Sequence, residues 1–288
     1  MRNRRLVISL FVGLVLTGCG RNRFEFIDIA ASERTLQSLE EGFRAAADTV
    51  PGARADYLLS QGLPVADVLI YAGEVGDTLF SLPDIPYGYN YNYISTDMLL
   101  DSLCIKHGRL YTAGGLNARM LYLQDERISL RLLNKISVLA GQGALIGGVR
   151  PTFCLDEADE QVFQRMVEKI WLEGNVMSGK TIKSILRAAG VKPDMKTKVD
   201  SLLFDHRHLA HADIYHIRNA GSHTGKSKIK FRVVGRQPLL WNPDTGEISL
   251  VSYKLKKRHT RVTMNLVPDD ETFVVFCSFA DRKKLKVK

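Results

Sequence analysis

Four groups of residues have the types and spacing to do chemistry. Glu74 follows the apolar run Val68-Leu69-Ile70-Tyr71, and Asp77 lies close behind it. A carboxylate at the end of a buried strand stands where parallel sheets place ligands, so Glu74 could be an acid, a base or a ligand contact. More often such a residue is a solvated loop carboxylate or a hydrogen-bond partner for a neighbouring unit. Residues 174–181, Gly-Asn-Val-Met-Ser-Gly-Lys-Thr, fit the phosphate-loop pattern G-x-x-x-x-G-K-[ST]. That loop cradles phosphate only when it leaves a buried strand and opens a helix. Here the preceding stretch puts Phe163, Met166, Val167, Ile170 and Trp171 on one helical face, which predicts a helix–glycine loop–helix connection instead of a nucleotide site. His206, His208 and His211, with Asp213 behind them, approach the His-x-His-x-Asp-His spacing of zinc hydrolases. Ala210 replaces the aspartate and no distant fourth ligand stands out, so a polar surface linker is expected. Finally, Tyr87, Tyr89, Tyr91 and Tyr93 alternate with Asn90 and Asn92. Such rings can stack on a flat ligand, pack against another domain or close a local turn.

The elements that must position these groups follow from periodicity. Residues 32–59 read as helical, with Leu36, Leu39, Phe43 and Ala47 at three- and four-residue steps and a break at Pro51-Gly52. Residues 65–71, 120–123 and 143–147 are short apolar runs of the kind that form strands covered on both faces. Residues 129–141 form an amphipathic helix between the last two. Residues 95–103, 159–172 and 181–189 also read as helices, 82–93 as a loop, and 104–106 with 109–111 as an extended pair. Strand and helix alternating at these lengths predict a parallel α/β sheet. After Asp213 the character changes to short β runs at 214–217, 227–234, 248–255, 260–266 and 272–276, with a turn at Asn242-Pro243-Asp244-Thr245-Gly246. This predicts the opening of an antiparallel sandwich, with a boundary near residue 205.

The chain has 288 residues, of which 45% are hydrophobic and 25% charged, an ordinary globular balance that excludes a disordered or disulfide-dense chain. Its net charge is +9, and much of the excess sits near the ends: Arg2, Arg4, Arg5, Arg21 and Arg23, then Lys254 to Arg258 and Arg282 to Lys288. No RNP-like aromatic strand or Cys/His finger accompanies these runs, which argues against nucleic acid. The charge gives no reason to expect a partner. The basic head and the apolar run 6–16 lead to Leu16-Thr17-Gly18-Cys19, which resembles the bacterial lipobox. The expectation is a signal peptide at 1–18 and a lipid on Cys19, tying the protein to a bacterial membrane on its periplasmic or outer side. An ordinary secretory signal with a chance cysteine is the alternative. Cys104, Cys154 and Cys277 cannot all pair, and the first two read as buried free thiols.

A family resemblance then emerges from many motifs in one order. Leu58 to Val68 joins Tyr71-Ala72-Gly73-Glu74; Gly88-Tyr89-Asn90-Tyr91-Asn92 precedes Asp97 and Leu99-Leu100. Gly108-Arg109-Leu110, Met120-Leu121-Tyr122-Leu123, Ala212-Asp213-Ile214-Tyr215 with Asn219, Phe231-Arg232-Val233 and Trp241-Asn242-Pro243 complete the series. This order resembles the C-terminal half of glycoside hydrolase family 106, the α-L-rhamnosidases, over about residues 55–276. The resemblance implies an inverting glycosidase with glutamates as acid and base and a calcium that holds the sugar, all within a preceding (β/α)₈ barrel. A barrel takes about 250 residues, and none fits between Cys19 and residue 55. The expectation is therefore a truncated, lipid-anchored relative, non-catalytic alone, with Glu74 the best local carboxylate. Its parts would be a linker and helical segment at 19–54, a flavodoxin-like or amidotransferase-like α/β accessory domain at 55–204, a partial β-sandwich at 205–280 and a basic tail at 281–288. No cofactor is expected in this chain. The alternative is a surface lipoprotein that binds rhamnose-containing carbohydrate through Tyr89 and Asn90, or a residual glycosidase. A separately encoded barrel, or self-association through the face the barrel would cover, is the expected protein partner. Four positions depart from the family pattern: Asn90, Asn92 and Asn242 stand where the resemblance implies aspartates, and Leu240 where it implies an acidic residue.

Overall fold

The computed structural model describes residues 28–46, 50, 52–74, 82–156, 160–173 and 176–279. Residues 1–27, with the lipobox and Cys19, and residues 280–288, with the end of the basic tail, lie outside that set, as does Asp77. Two helices open the described chain, α1 (Ile29–Ala45) and α2 (Ala53–Ser60). Asp28 caps α1 by accepting from the Ala31 N–H at 2.9 Å. The expected apolar stripe is there: Leu36, Leu39 and Phe43 are buried on one face.

Five strands form a fully parallel sheet: β1 (Val68–Tyr71), β2 (Tyr91–Tyr93), β3 (Met120–Leu123), β4 (Leu145–Gly148) and β5 (Val176–Ser178). Their spatial order is 2-1-3-4-5. Helices α3 (Leu130–Gly141) and α4 (Glu160–Glu173) cover one face, where Leu132, Leu133, Ile136, Phe163 and Val167 meet Leu69, Leu121 and Ile146. On the other face α5 (Ile182–Ala188) sets Ile182, Ile185 and Leu186 against Val68, Ile70 and Met120. Burial on both faces is why β1, β3 and β4 read as unbroken apolar runs. Gly148, at φ 121°, ends β4; a Cβ there would lie 2.0 Å from the Leu123 carbonyl oxygen.

The second half is antiparallel. Its strands are β6 (Leu202–His208), β7 (Ala212–Asn219), β8 (Gly225–Phe231), β9 (Gln237–Trp241), β10 (Ile248–Leu250), β11 (Ser252–Lys256), β12 (His259–Leu266) and β13 (Glu271–Cys277). One sheet runs Leu63–Pro64, β6, β7, β13, β9, β10; the other runs Met195–Lys196, β8, β12, β11. Alternation sorts the first sheet's side chains. Ala212, Ile214, Leu239, Trp241, Phe273 and Val275 face α1 and α2, with Phe43 and Trp241 ring centroids 4.9 Å apart. Tyr215, Ile217, Val274 and Phe276 face the second sheet and meet Ile229, Phe231, Val262 and Met264. The Ser32 hydroxyl joins the two ends of the described chain, accepting from the Ser278 N–H at 2.7 Å and donating to the His211 carbonyl at 2.9 Å.

Several local expectations need correction. Residues 91–93 are a strand inside the expected loop, because their ladder to β1 satisfies the backbone. Residues 176–178 are a strand where a helix–loop–helix connection was expected. The histidine segment is strand β6, not a surface linker, and it runs through position 205. The run 248–255 breaks at Val251: β10 pairs with β9 and β11 with β12, so the chain changes sheets there. The helix expected at 95–103 is present over 96–102, but its last five residues, Met98–Ser102, are widely wound and closed by the Leu103 N–H on the Met98 carbonyl. The turn at 242–246 is present, with Asn242 Oδ1 accepting from the Asp244 and Thr245 N–H groups at 2.9 Å each. An oxygen is all that turn requires, so asparagine serves as well as aspartate. Cys104, Cys154 and Cys277 are free thiols, and burial pushes the Cys277 thiol up to about 12.

Candidate functional site

The two ends of the parallel sheet carry different residues. At its carboxyl end Glu74 follows β1. Glu74 Oε1 accepts from the Ser129 N–H at 2.6 Å, while Ser129 Oγ caps α3 through the Leu132 N–H at 3.2 Å. Glu74 is thus a fixed acceptor at a helix N-terminus, where its charge is favourable. At the amino end Asp67 precedes β1 and Asn90 precedes β2. The Asn90 carbonyl accepts from the Asp67 and Val68 N–H groups, at 2.7 and 3.1 Å. Glu74 and Asn90 therefore stand at opposite ends of the sheet and cannot share a site.

Beside Asn90 is a cleft of about 290 Å³ between the parallel sheet and β6, lined by Asn90, Tyr91, Asn92, Asp205, His206 and Arg207 over Leu59, Pro64 and Val65. The Asn90 Nδ2 is buried without a protein partner. The tyrosines divide by role. Tyr87 donates to the Val199 and Leu202 carbonyls, each at 3.0 Å, and Tyr89 donates to the Val191 carbonyl at 2.9 Å. Both hydroxyls hold the loop to the segment between the sheets. Tyr91 and Tyr93 are exposed and meet edge to face, with centroids 6.0 Å apart.

Behind the cleft lies a buried ionic network. His206 Nδ1 is 2.7 Å from Asp194 Oδ2, and Nε2 is 3.1 Å from Asp213 Oδ1. Both ring nitrogens face carboxylates, so both carry protons and the ring is an imidazolium. Burial works against that charge, but Asp194 and then Asp213 raise the imidazole to about 9. The ring stacks on Tyr215 at 3.9 Å, and the Tyr215 hydroxyl donates to Asp194 Oδ1 at 2.9 Å. Asp213 also accepts from His208 at 2.7 Å and from Arg236. Burial alone would raise the Asp213 carboxyl; His206, His208 and Arg236 overcome it and hold the carboxyl far below its usual range. Arg232 links the two halves of the molecule, reaching Asp67 Oδ1 at 2.6 Å and Asp194 Oδ1 at 3.3 Å. Burial raises the Asp67 carboxyl despite Arg232, whereas His206 and Arg232 outweigh burial and lower Asp194.

Sequence spacing thus brought His206, His208 and Asp213 together, but as an ion cluster instead of a zinc site. His211 is not part of it. Among the described residues there is no group of three or more His, Cys, Asp or Glu side chains that could hold a metal. Asp67, Asp194 and Arg232 were missed. Asp67 lies 165 residues from Arg232, and the sole local signal was a charge inside the apolar run 65–71. In the phosphate-loop segment, β5 gives its backbone to β4, Thr181 caps α5 through Ser184 and Lys180 is exposed, which is not a phosphate cradle.

The profile of the α-L-rhamnosidases of glycoside hydrolase family 106 matches residues 46–255. A Formosa agariphila protein named provisionally as a beta-glucuronidase is 31% identical over 244 residues, covering 80% of this chain and 21% of that protein. The structure of a rhamnosidase from Novosphingobium sp. PP1Y superposes with a TM-score of 0.72 at 28% identity, over 82% of this chain and 25% of that one. Fold and sequence together place the chain among the glycoside hydrolases. Within that class it belongs to the α-L-rhamnosidase family. The chain spans about a fifth to a quarter of the length of these relatives.

Proposed function

We propose that the described residues are the accessory, non-catalytic part of an α-L-rhamnosidase, working beside a catalytic domain and held at a bacterial membrane through Cys19. The observation that carries this reading is the role of Glu74, whose carboxylate accepts the Ser129 N–H at 2.6 Å and so braces α3. Inverting glycosidases need an acid and a base ~6.5–9.5 Å apart across a sugar bond. At the cleft Asp205 is tied to His216 at 3.4 Å, and Asp194 and Asp213 are tied to His206. The strand order 2-1-3-4-5 is that of flavodoxin-like sheets, and two antiparallel sheets sharing one core fit a β-sandwich; both suit an accessory role. The test is hydrolysis of an aryl α-L-rhamnoside with calcium present. No turnover is expected, and robust turnover abolished by Glu74→Gln would refute the proposal. For the anchor, Cys19→Ala should move the protein from the membrane pellet to the soluble fraction.

A second reading is favoured by Asn90 and Asn92 in the lining of the cleft beside exposed Tyr91: the cleft binds a neutral sugar. A few polar side chains in the lining, with an aromatic ring at the rim, are the usual composition of such sites. Calorimetry against rhamnose-containing oligosaccharides tests it, and absence of heat ends it.

A further inference from the structure

The outer face of the four-stranded sheet is cationic to an unusual degree. Register places Lys196 opposite Lys230, Lys230 opposite Arg261, and Arg261 opposite Lys254, so one row crosses all four strands as four cations. Lys226, Lys228 and Lys256 share that face through the two-residue period. The four strands contain no Asp or Glu. Among the described residues none of the seven cations is in an ion pair. Lys196, Lys226, Lys228, Lys254 and Lys256 are exposed, and Lys230 and Arg261 half-buried. The field is felt locally: burial and then Lys230, Arg261 and Lys256 lower the His259 imidazole.

Like charges directly opposite in a sheet are destabilising. Lysines on edge strands deter aggregation, which accounts for Lys196, Lys254 and Lys256. That also covers Lys226 and Lys228, where β8 has no strand on its outer side because 195–196 reaches only Lys230 and Phe231, but it does not account for Lys230 and Arg261, which have a strand on each side. A repulsive pair kept on central strands points to an external anion.

We propose that this face binds an anionic polysaccharide, its carboxylate or sulfate groups lying along the rows of cations. The row repeats at about 4.8 Å across strands on a rigid, extended surface, which suits a polymer with regularly placed charges. The remaining outward residues are Ser252, His259, Thr263 and Asn265, which can bond sugar hydroxyls. The face carries no aliphatic wedge for a bilayer and no Phe, Tyr or Trp on which bases could stack. Membership of a glycan-hydrolysing family favours the same occupant. This inference stands whether or not the chain turns over a rhamnoside.

The test uses the full chain with dextran sulfate as probe, beside neutral dextran, phosphatidylglycerol vesicles and a DNA duplex. Dextran sulfate should bind, more weakly as salt rises. Lys230→Gln/Lys254→Gln/Arg261→Gln should weaken it on the order of 100-fold, while raising the melting temperature by removing repulsion. Lys106→Gln/Lys169→Gln/Lys183→Gln, the same charge change elsewhere, should leave binding near wild type. If the first variant fails to fold, Lys196→Gln/Lys226→Gln/Lys254→Gln, all on exposed side chains, replaces it with the same expectation. Wild-type binding by the face variants, equal loss in the control, or tighter binding of vesicles or duplex than of dextran sulfate would each overturn the proposal.

Discussion

His206 makes a prediction that can be worked through in numbers. Its imidazole is raised from 6.5 to about 9 by two buried carboxylates, and a rise of that size is worth roughly 3 kcal/mol of folding free energy. The sign follows from linkage. The folded protein holds the His206 proton more tightly than the unfolded chain does. The stabilisation is therefore complete below the unfolded value near 6.5 and fades as pH climbs through about 9. Urea unfolding followed by tryptophan fluorescence, with Trp241 fully buried as reporter, measures it. Wild-type stability should fall by roughly 3 kcal/mol between pH about 6.5 and about 9.5. His206→Gln should be less stable at the lower pH, because Asp194 and Asp213 lose the cation between them, and should show no such fall across the window. A wild-type profile that is flat there, or a variant that falls in parallel with it, would show that His206 is not the charged centre of the network.

Two further predictions test how the halves are held together. Arg232→Met should cost about 3–5 kcal/mol by leaving the fully buried Asp67 carboxylate uncompensated. Adding Asp67→Asn should restore part of that, as thermal unfolding of the single and double variants would show. Phe43→Ala should cost about 3–5 kcal/mol, since the ring is fully buried against Trp241, and limited proteolysis should then cut first within α1.

Legibility in the sequence tracked burial. β1, β3 and β4 were plain because both their faces are apolar, and α1, α3, α4 and α5 because one face is. β2 and β5 were not, since three-residue edge strands of Tyr-Asn-Tyr and Val-Met-Ser carry too little pattern. β6 looked like a linker because its run of charged and polar residues hides the strand alternation: Asp205, His206 and His208 find their partners across the β6–β7 ladder and in Asp194, pairings that only the folded register reveals. Glu74 was placed at the correct end of its strand, but its partner Ser129 is 55 residues away. The alternation Lys226, Lys228, Lys230 was visible. Its meaning was not, because only strand register shows that Arg261 and Lys254 continue the row.

The way α1 and α2 cover the antiparallel half sets the order in which the chain can mature during synthesis. Strand β13 lies between β7 and β9, at the centre of the sheet on which those helices pack. The sheet cannot close until residue 277 has been made, and the bond from Ser278 to Ser32 spans 246 residues. The parallel sheet uses residues 68–178 alone and can assemble on the ribosome well before that. Until then Leu36, Leu39 and Phe43 have only α2, and not the sheet, to cover. The first helices synthesised are among the last to dock, and a ribosome pausing before residue 271 leaves their apolar stripe open to chaperones and to neighbouring chains.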